Sequence, residues 1–198
     1  MASLVDICNM ALQRFGGQTI TALDQASPSA RACNLFWPNV RDSALRDYPW
    51  NFCMKRAQLA AVANETDPEW SYVYQYPADC LRIKRLFNET TISDVNPVKY
   101  VVRAAPTGSG KRVYTNLPGA YMEFHARITD TTQYDPEFVD AIAWRFGADL
   151  SVPLSDDKNL REHLLKVYAT VLEGAVRADA NEGAEDPQYD NPYVDARF

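Results

Sequence analysis

Apolar and polar positions divide the chain into helical ends and an alternating middle. Leu4, Ile7, Cys8, Ala11, Leu12 and Phe15 recur at intervals of three and four, which is one face of a helix. Ser3 and Asp6 stand as a capping box with Asp in place of Glu, and Gly16-Gly17 supplies the stop. The pattern predicts a helix over 3–15, followed by a connector over 18–27. Ser27-Pro28 then offers an N-cap and a proline at the first helical position. Cys33, Phe36, Trp37, Val40, Ala44 and Tyr48 form the stripe of a second helix. Pro38 removes a backbone donor inside that stripe, so a kink or short break is expected there. Pro49 pushes the residue before it out of the α region, so the helix should stop near Asp47 or Tyr48. Trp50 and Phe52, two apart, then read as anchors for an extended segment, with Pro49, Trp50 and Phe52 as a structural hinge.

The stretch 53–63 fits a short helix and an extended arm equally, and 64–68 is a loop. Beyond it the period changes to two. Trp70, Tyr72, Tyr74 and Tyr76 alternate, as do Leu81 and Ile83 against Arg82 and Lys84. Strands are predicted over 70–77, 80–87, 98–104, 112–115 and 120–128. In the last of these, Met122, Phe124, Ala126 and Ile128 face one way and Tyr121, Glu123, His125 and Arg127 the other. Helical period returns at Asp135-Pro136-Glu137, with Phe138, Ile142, Phe146 and Leu150 as its stripe and Pro153 as its end. A long final helix is predicted from Ser155-Asp156-Asp157 to about Ala180, with Leu160, Leu164, Val167, Val171 and Ala175 on its core face. From Asn181 onward the chain is acidic, carries two prolines and has no period. Its Tyr189, Tyr193, Arg197 and Phe198 are spaced like anchors for a partner's grooves.

The expected architecture is α+β: a four-helix bundle, two helices from each end of the chain, with a small antiparallel β-sheet inserted in the middle and an extended C-terminal arm. As a domain plan this gives one unit over 1–180, with the bundle at 1–63 and 135–180 and the β insertion at 68–130, and the arm at 181–198.

Charge and chemistry narrow the function. The formal net charge of −6 argues against an open DNA-binding surface, though an acidic wall suits a channel that DNA merely passes. Cys8, Cys33, Cys53 and Cys80 form no CxxC motif and read as reduced core residues of a protein that folds in a cytosol. No signal-peptide pattern and no apolar run of about 20 residues is present, so neither export by that route nor a membrane span is expected. Gly108-Ser109-Gly110-Lys111-Arg112 fails as a phosphate loop, because Ala105 stands where a glycine is needed and Arg112 where Ser or Thr is needed. It reads as a hairpin turn. His125 and His163 lack ligand spacing, and no GxSxG or HExxH occurs. No catalytic, metal-binding or cofactor-binding residue is singled out, and the chain is expected not to be an enzyme.

Several ordered features carry a family resemblance. They are Asp6-Ile7-Cys8-Asn9-Met10-Ala11-Leu12 before Gly16-Gly17, Ala30 to Cys33 before Phe36-Trp37, and Val40-Arg41-Asp42 through Leu45-Arg46 to Pro49-Trp50-Asn51-Phe52 and Lys55-Arg56. Trp70 to Tyr76, Pro77-Ala78-Asp79-Cys80-Leu81-Arg82, Tyr114-Thr115-Asn116, Asp135-Pro136-Glu137-Phe138 and the long last helix follow in order. Together they resemble the head-to-tail adaptors of short-tailed phages, the tail tubular protein A type. Each feature is a packing signature, and their order and spacing make the likeness.

The resemblance implies a structural virion protein of a bacteriophage, in the neck or tail of a podovirus, assembled in the host bacterial cytoplasm. It implies a dodecameric ring, self-associated with twelve-fold symmetry, joining the phage portal protein to a tail nozzle (tubular protein B-like) or to tail fibre proteins. DNA would pass through that connector's channel at packaging and ejection without sequence-specific binding. The arm residues Tyr189, Tyr193, Arg197 and Phe198 would be portal-binding. Two alternatives are a tail-associated hydrolase of cell-envelope glycan, using an acid such as Glu123, and another capsid completion protein.

Overall fold

The computed structural model describes residues 2–63, 65–92, 97–106, 108–155, 157 and 159–182. Helices α1 (Leu4–Gln13) and α2 (Pro28–Asp47) precede six strands, and α3 (Pro136–Leu154) and α4 (Leu160–Glu182) follow them. The strands are β1 (Met54–Gln58), β2 (Tyr72–Gln75), β3 (Cys80–Phe87), β4 (Tyr100–Ala104), β5 (Lys111–Thr115) and β6 (Tyr121–Ala126). The expected capping box forms at α1: Asp6 N–H donates to the Ser3 hydroxyl, and Ser3 N–H donates to the Asp6 carboxylate. Helix α2 runs unbroken through Pro38, and α3 includes Pro153 in its last turn rather than stopping before it.

The expected four-helix bundle with one inserted sheet is overturned. The helices are divided by two three-stranded antiparallel sheets, of order β1-β6-β3 and β2-β5-β4. The helices do not surround a shared axis either. Helix α3 is the common partner, packed against α1, α2 and α4. It can serve three neighbours because it is apolar on most sides: Ala141, Ala143 and Ala148 are buried as fully as the stripe Phe138, Ile142, Phe146 and Leu150. Gly147 completes this role, since a Cβ there would lie 2.9 Å from the Ala11 carbonyl oxygen of α1. Each large buried side chain along α3 contributes about 1.5–3 kcal/mol.

The sheets separate at the Asn116–Gly119 turn, where the chain leaves β5 and enters β6 of the other sheet. The link 59–62 ties them together. Leu59 N–H donates to the Ala120 carbonyl at 2.9 Å, and Ala61 forms a bridge with Tyr74. The stretch left undecided between helix and arm is in part β1, the edge strand of the first sheet. Its Met54-Lys55-Arg56-Ala57-Gln58 sequence is poor in strand-forming side chains, and pairing with β6 determines its conformation.

The core follows the sequence-derived faces. Met122, Phe124 and Ala126 join the helices' apolar side chains in one cluster, and all four cysteines are buried free thiols. Among the described residues, no helix is long and apolar enough to cross a membrane.

Candidate functional site at the helix–sheet junction

The segment after α2 turns sharply. Tyr48 is extended at φ −139°, ψ 152°, and Asn51–Cys53 then forms a single 3₁₀ turn before β1. The hinge is therefore a turn rather than the wholly extended segment expected. Trp50 is its anchor, 1 % exposed, with its indole N–H donating to the Ala44 carbonyl at 3.1 Å. Its ring meets Phe138 of α3 edge-on at 4.9 Å, and Phe52 packs on Phe138 at 5.1 Å and on Tyr134 at 5.7 Å. Pro49 stays exposed and only directs the chain. Trp50 and Phe52 thus stack together at 6.1 Å, while Pro49 stays outside their packing.

The turn also holds the end of α4. Asn51 N–H donates to the Asp179 carboxylate at 2.9 Å, and the Asn51 side-chain amide donates to the Asp179 carbonyl at 2.7 Å. Asp179 is 5 % exposed, and burial, with Glu182 close by, lifts its carboxyl above the usual range. Sequence reasoning missed this clamp. A signal existed, because Asp179 falls on the buried stripe of α4 after Leu164, Tyr168 and Ala175.

A second missed network joins α2, α3 and α4. Arg145 pairs with Asp47 and donates to the Ser43 hydroxyl at 2.5 Å, while the Tyr168 hydroxyl donates to Asp47 at 2.9 Å. Asp42 receives Arg127 at 2.7 Å, which fixes α2 to the strand end after β6. Asp42, Ser43, Asp47 and Arg127 line a polar cleft of about 630 Å³ with Arg46 and Lys111.

On the outer face of the β1-β6-β3 sheet, Glu123 is the hub. Its carboxylate pairs with Arg85 at 2.9 Å, Lys84 at 3.2 Å and Arg56 at 3.4 Å. Burial opposes its ionisation, but the hydrogen bonds from Arg85 and Lys84 outweigh it and hold its pKa below the usual glutamate value. A carboxylate held this way is a poor general acid. His125, its neighbour on that face, is 2 % exposed, and its Nε2 has no hydrogen-bond partner among the described residues. Burial, with Arg82 and Lys84 nearby, lowers its pKa below the usual histidine value.

Among the described residues, no group of three or more His, Cys, Asp or Glu is placed to hold a metal. The Gly108–Gly110 stretch lies between the paired strands β4 and β5, with Gly108 and Gly110 at φ 79° and 98°, as a hairpin turn requires. Tyr189, Tyr193, Arg197 and Phe198 lie outside the described residues. No protein-family model matches the chain, and no curated protein is significantly similar to it.

Proposed function

We propose that the chain is a head-to-tail adaptor of a short-tailed phage, a structural virion protein that forms a twelve-fold ring joining the portal to the tail nozzle. DNA passes through its channel, and the 183–198 segment attaches the ring to the portal through Tyr189, Tyr193, Arg197 and Phe198. One observation carries the reading. Asn51, in the Pro49-Trp50-Asn51-Phe52 stretch that bears the family resemblance, grips Asp179 in the last turns of α4. The hinge thereby fixes the C-terminal end of α4, the helix that directly precedes the 183–198 segment. A hinge held by Trp50, Phe52 and Phe138 suits a part that must keep a set angle between partners.

The test is to locate the chain in the intact virion by reconstruction of the neck and by crosslinking. Twelve copies between portal and tail are expected, and a chain found elsewhere in the particle overturns the proposal. Removing 183–198 should abolish portal attachment while leaving the fold intact, and undiminished attachment would refute the arm's role.

A further inference from the structure

Among the described residues, the outer face of the β1-β6-β3 sheet carries more positive charge than its contacts use. Arg56, Arg82, Lys84 and Arg85 stand against the single buried carboxylate Glu123, on a chain whose formal net charge is −6. The side chains of Arg56 and Lys84 remain 60 % and 51 % exposed despite their pairing. The guanidinium groups of Arg56 and Arg85 lie over the Phe87 ring at 5.8 and 5.2 Å, which keeps them extended across the face. Beside them opens a cavity of about 510 Å³, lined by Tyr48, Pro49, Met54, Lys84, His125 and Asp179. His125 is its unused polar group, and Asp179 is already engaged by Asn51. The cavity offers apolar and aromatic walls with a cation at the edge, as an acidic, tyrosine-bearing peptide requires.

The chain itself carries such a peptide. Residues 183–198 hold Glu185, Asp186, Asp190 and Asp195 against Arg197, with Tyr189 and Tyr193 between the acids and Phe198 at the end. They begin directly after Glu182, and Ala180 of the same helix already lines the cavity. Sixteen residues reach about 50 Å when extended, more than enough to cross a three-stranded face. We propose that this face is the docking site of the chain's own 183–198 segment, held by charge on Arg56, Arg82, Lys84 and Arg85 and by an aromatic side chain in the cavity. The proposal rests on the face and the segment and stands apart from the adaptor reading. If both hold, portal attachment must draw the segment off the sheet.

The test uses the intact chain as an equal mixture of ¹⁴N- and ¹⁵N-labelled protein at low concentration, treated with a water-soluble carbodiimide. The reagent activates a carboxylate, the Lys84 amine displaces the urea, and an amide forms only where the two groups are already in contact. The expected product joins Lys84 to Glu185, Asp186, Asp190 or Asp195 within one isotopic species. Arg82→Glu combined with Arg56→Gln should lower its yield about ten-fold. The Lys55–Asp79 pair, 3.1 Å apart, gives a control amide that reports an intact fold in every variant. The control amide, or the Lys84–Glu123 amide that the 3.2 Å pair gives, without an amide from Lys84 to the 183–198 segment overturns the proposal. So does a product of mixed isotopes, which would place a second copy's segment on the face. A yield unchanged in the double variant overturns it as well.

Discussion

The two sheets solve the same problem with opposite charge. Each has a charged face, and each places one buried ionic group on its central strand. On the β2-β5-β4 sheet the central group is Arg112, with its side chain 10 % exposed, and Glu65 takes it at 3.0 Å through both Nε and Nη2. Gln75 accepts a further bond at 2.8 Å, and Arg103 binds Asp67 at 2.7 Å. These pairs draw the 65–69 stretch over the sheet, and Val73 and Tyr114 are buried there at 5 % and 6 % exposure. On the β1-β6-β3 sheet the central group is the acid Glu123, and three cations compete for it. The first face is matched nearly one to one and closed by its own strap. The second has surplus cations and no strap among the described residues. A saturated polar network gives a sheet its shape, whereas an oversupplied one leaves charge for a partner.

The junction that joins helices to sheets should give the largest response to mutation. Trp50→Ala removes a fully buried indole and its bond to Ala44, and leaves Phe52 and Phe138 facing a cavity. A loss of about 3–5 kcal/mol is expected in denaturant unfolding. A loss under about 1 kcal/mol would mean that the hinge is not an anchor.

The contrast between the sheets predicts the next effect. Arg112→Ala strands Glu65, whose side chain is 12 % exposed, and should cost about 3 kcal/mol. Arg56→Ala removes one of three partners from Glu123, on a side chain 60 % exposed, and should cost less than about 1 kcal/mol. Equal losses would erase the distinction between a saturated and an oversupplied face. The measurement is the free energy of unfolding for both variants at one ionic strength.

How far the sequence revealed this depends on the kind of interaction. Three helix starts were legible because caps are local: Ser3 with Asp6, Ser27 before Pro28, and Asp135 before Pro136 stand where helices begin, whereas α4 begins at Leu160 rather than at the expected Ser155-Asp156-Asp157. The inward set Met122, Phe124 and Ala126 was legible because a period of two leaves no other choice. The division into two sheets was not, since which strand pairs with β5 and which with β6 is decided by long-range contacts. β1 escaped for the same reason. The bundle expectation failed at Ala143, Gly147 and Ala148, small residues whose burial on extra sides of α3 a single-stripe reading ignores. Of the candidate site, the Pro49–Phe52 turn was visible through proline and two aromatics. The Asn51–Asp179 clamp spans 128 residues, and only an acid on an apolar stripe hinted at it.

The smallest effect concerns His125, and it separates the two faces by pH. Burial first, then Arg82 and Lys84, disfavour the imidazolium in the folded chain, while Glu123 favours it and is outweighed. The folded pKa therefore lies below the usual histidine value of 6.5. At pH above that value neither state binds the proton, and His125 contributes nothing to the pH dependence. As pH falls through the usual value toward the folded one, the unfolded chain takes a proton that the folded chain refuses, so stability declines. The slope has an upper limit of about 1.4 kcal/mol per pH unit for one such site. Glu123 acts at lower pH: its folded pKa is depressed, so its stabilisation is present above the usual glutamate value and is lost as pH falls through the folded one. Unfolding free energy measured from pH 7.5 to 5.5 should fall in the intact chain and flatten in His125→Asn, with Arg112→Ala leaving the slope unchanged. A parallel decline in His125→Asn would move the pH dependence off the β1-β6-β3 face.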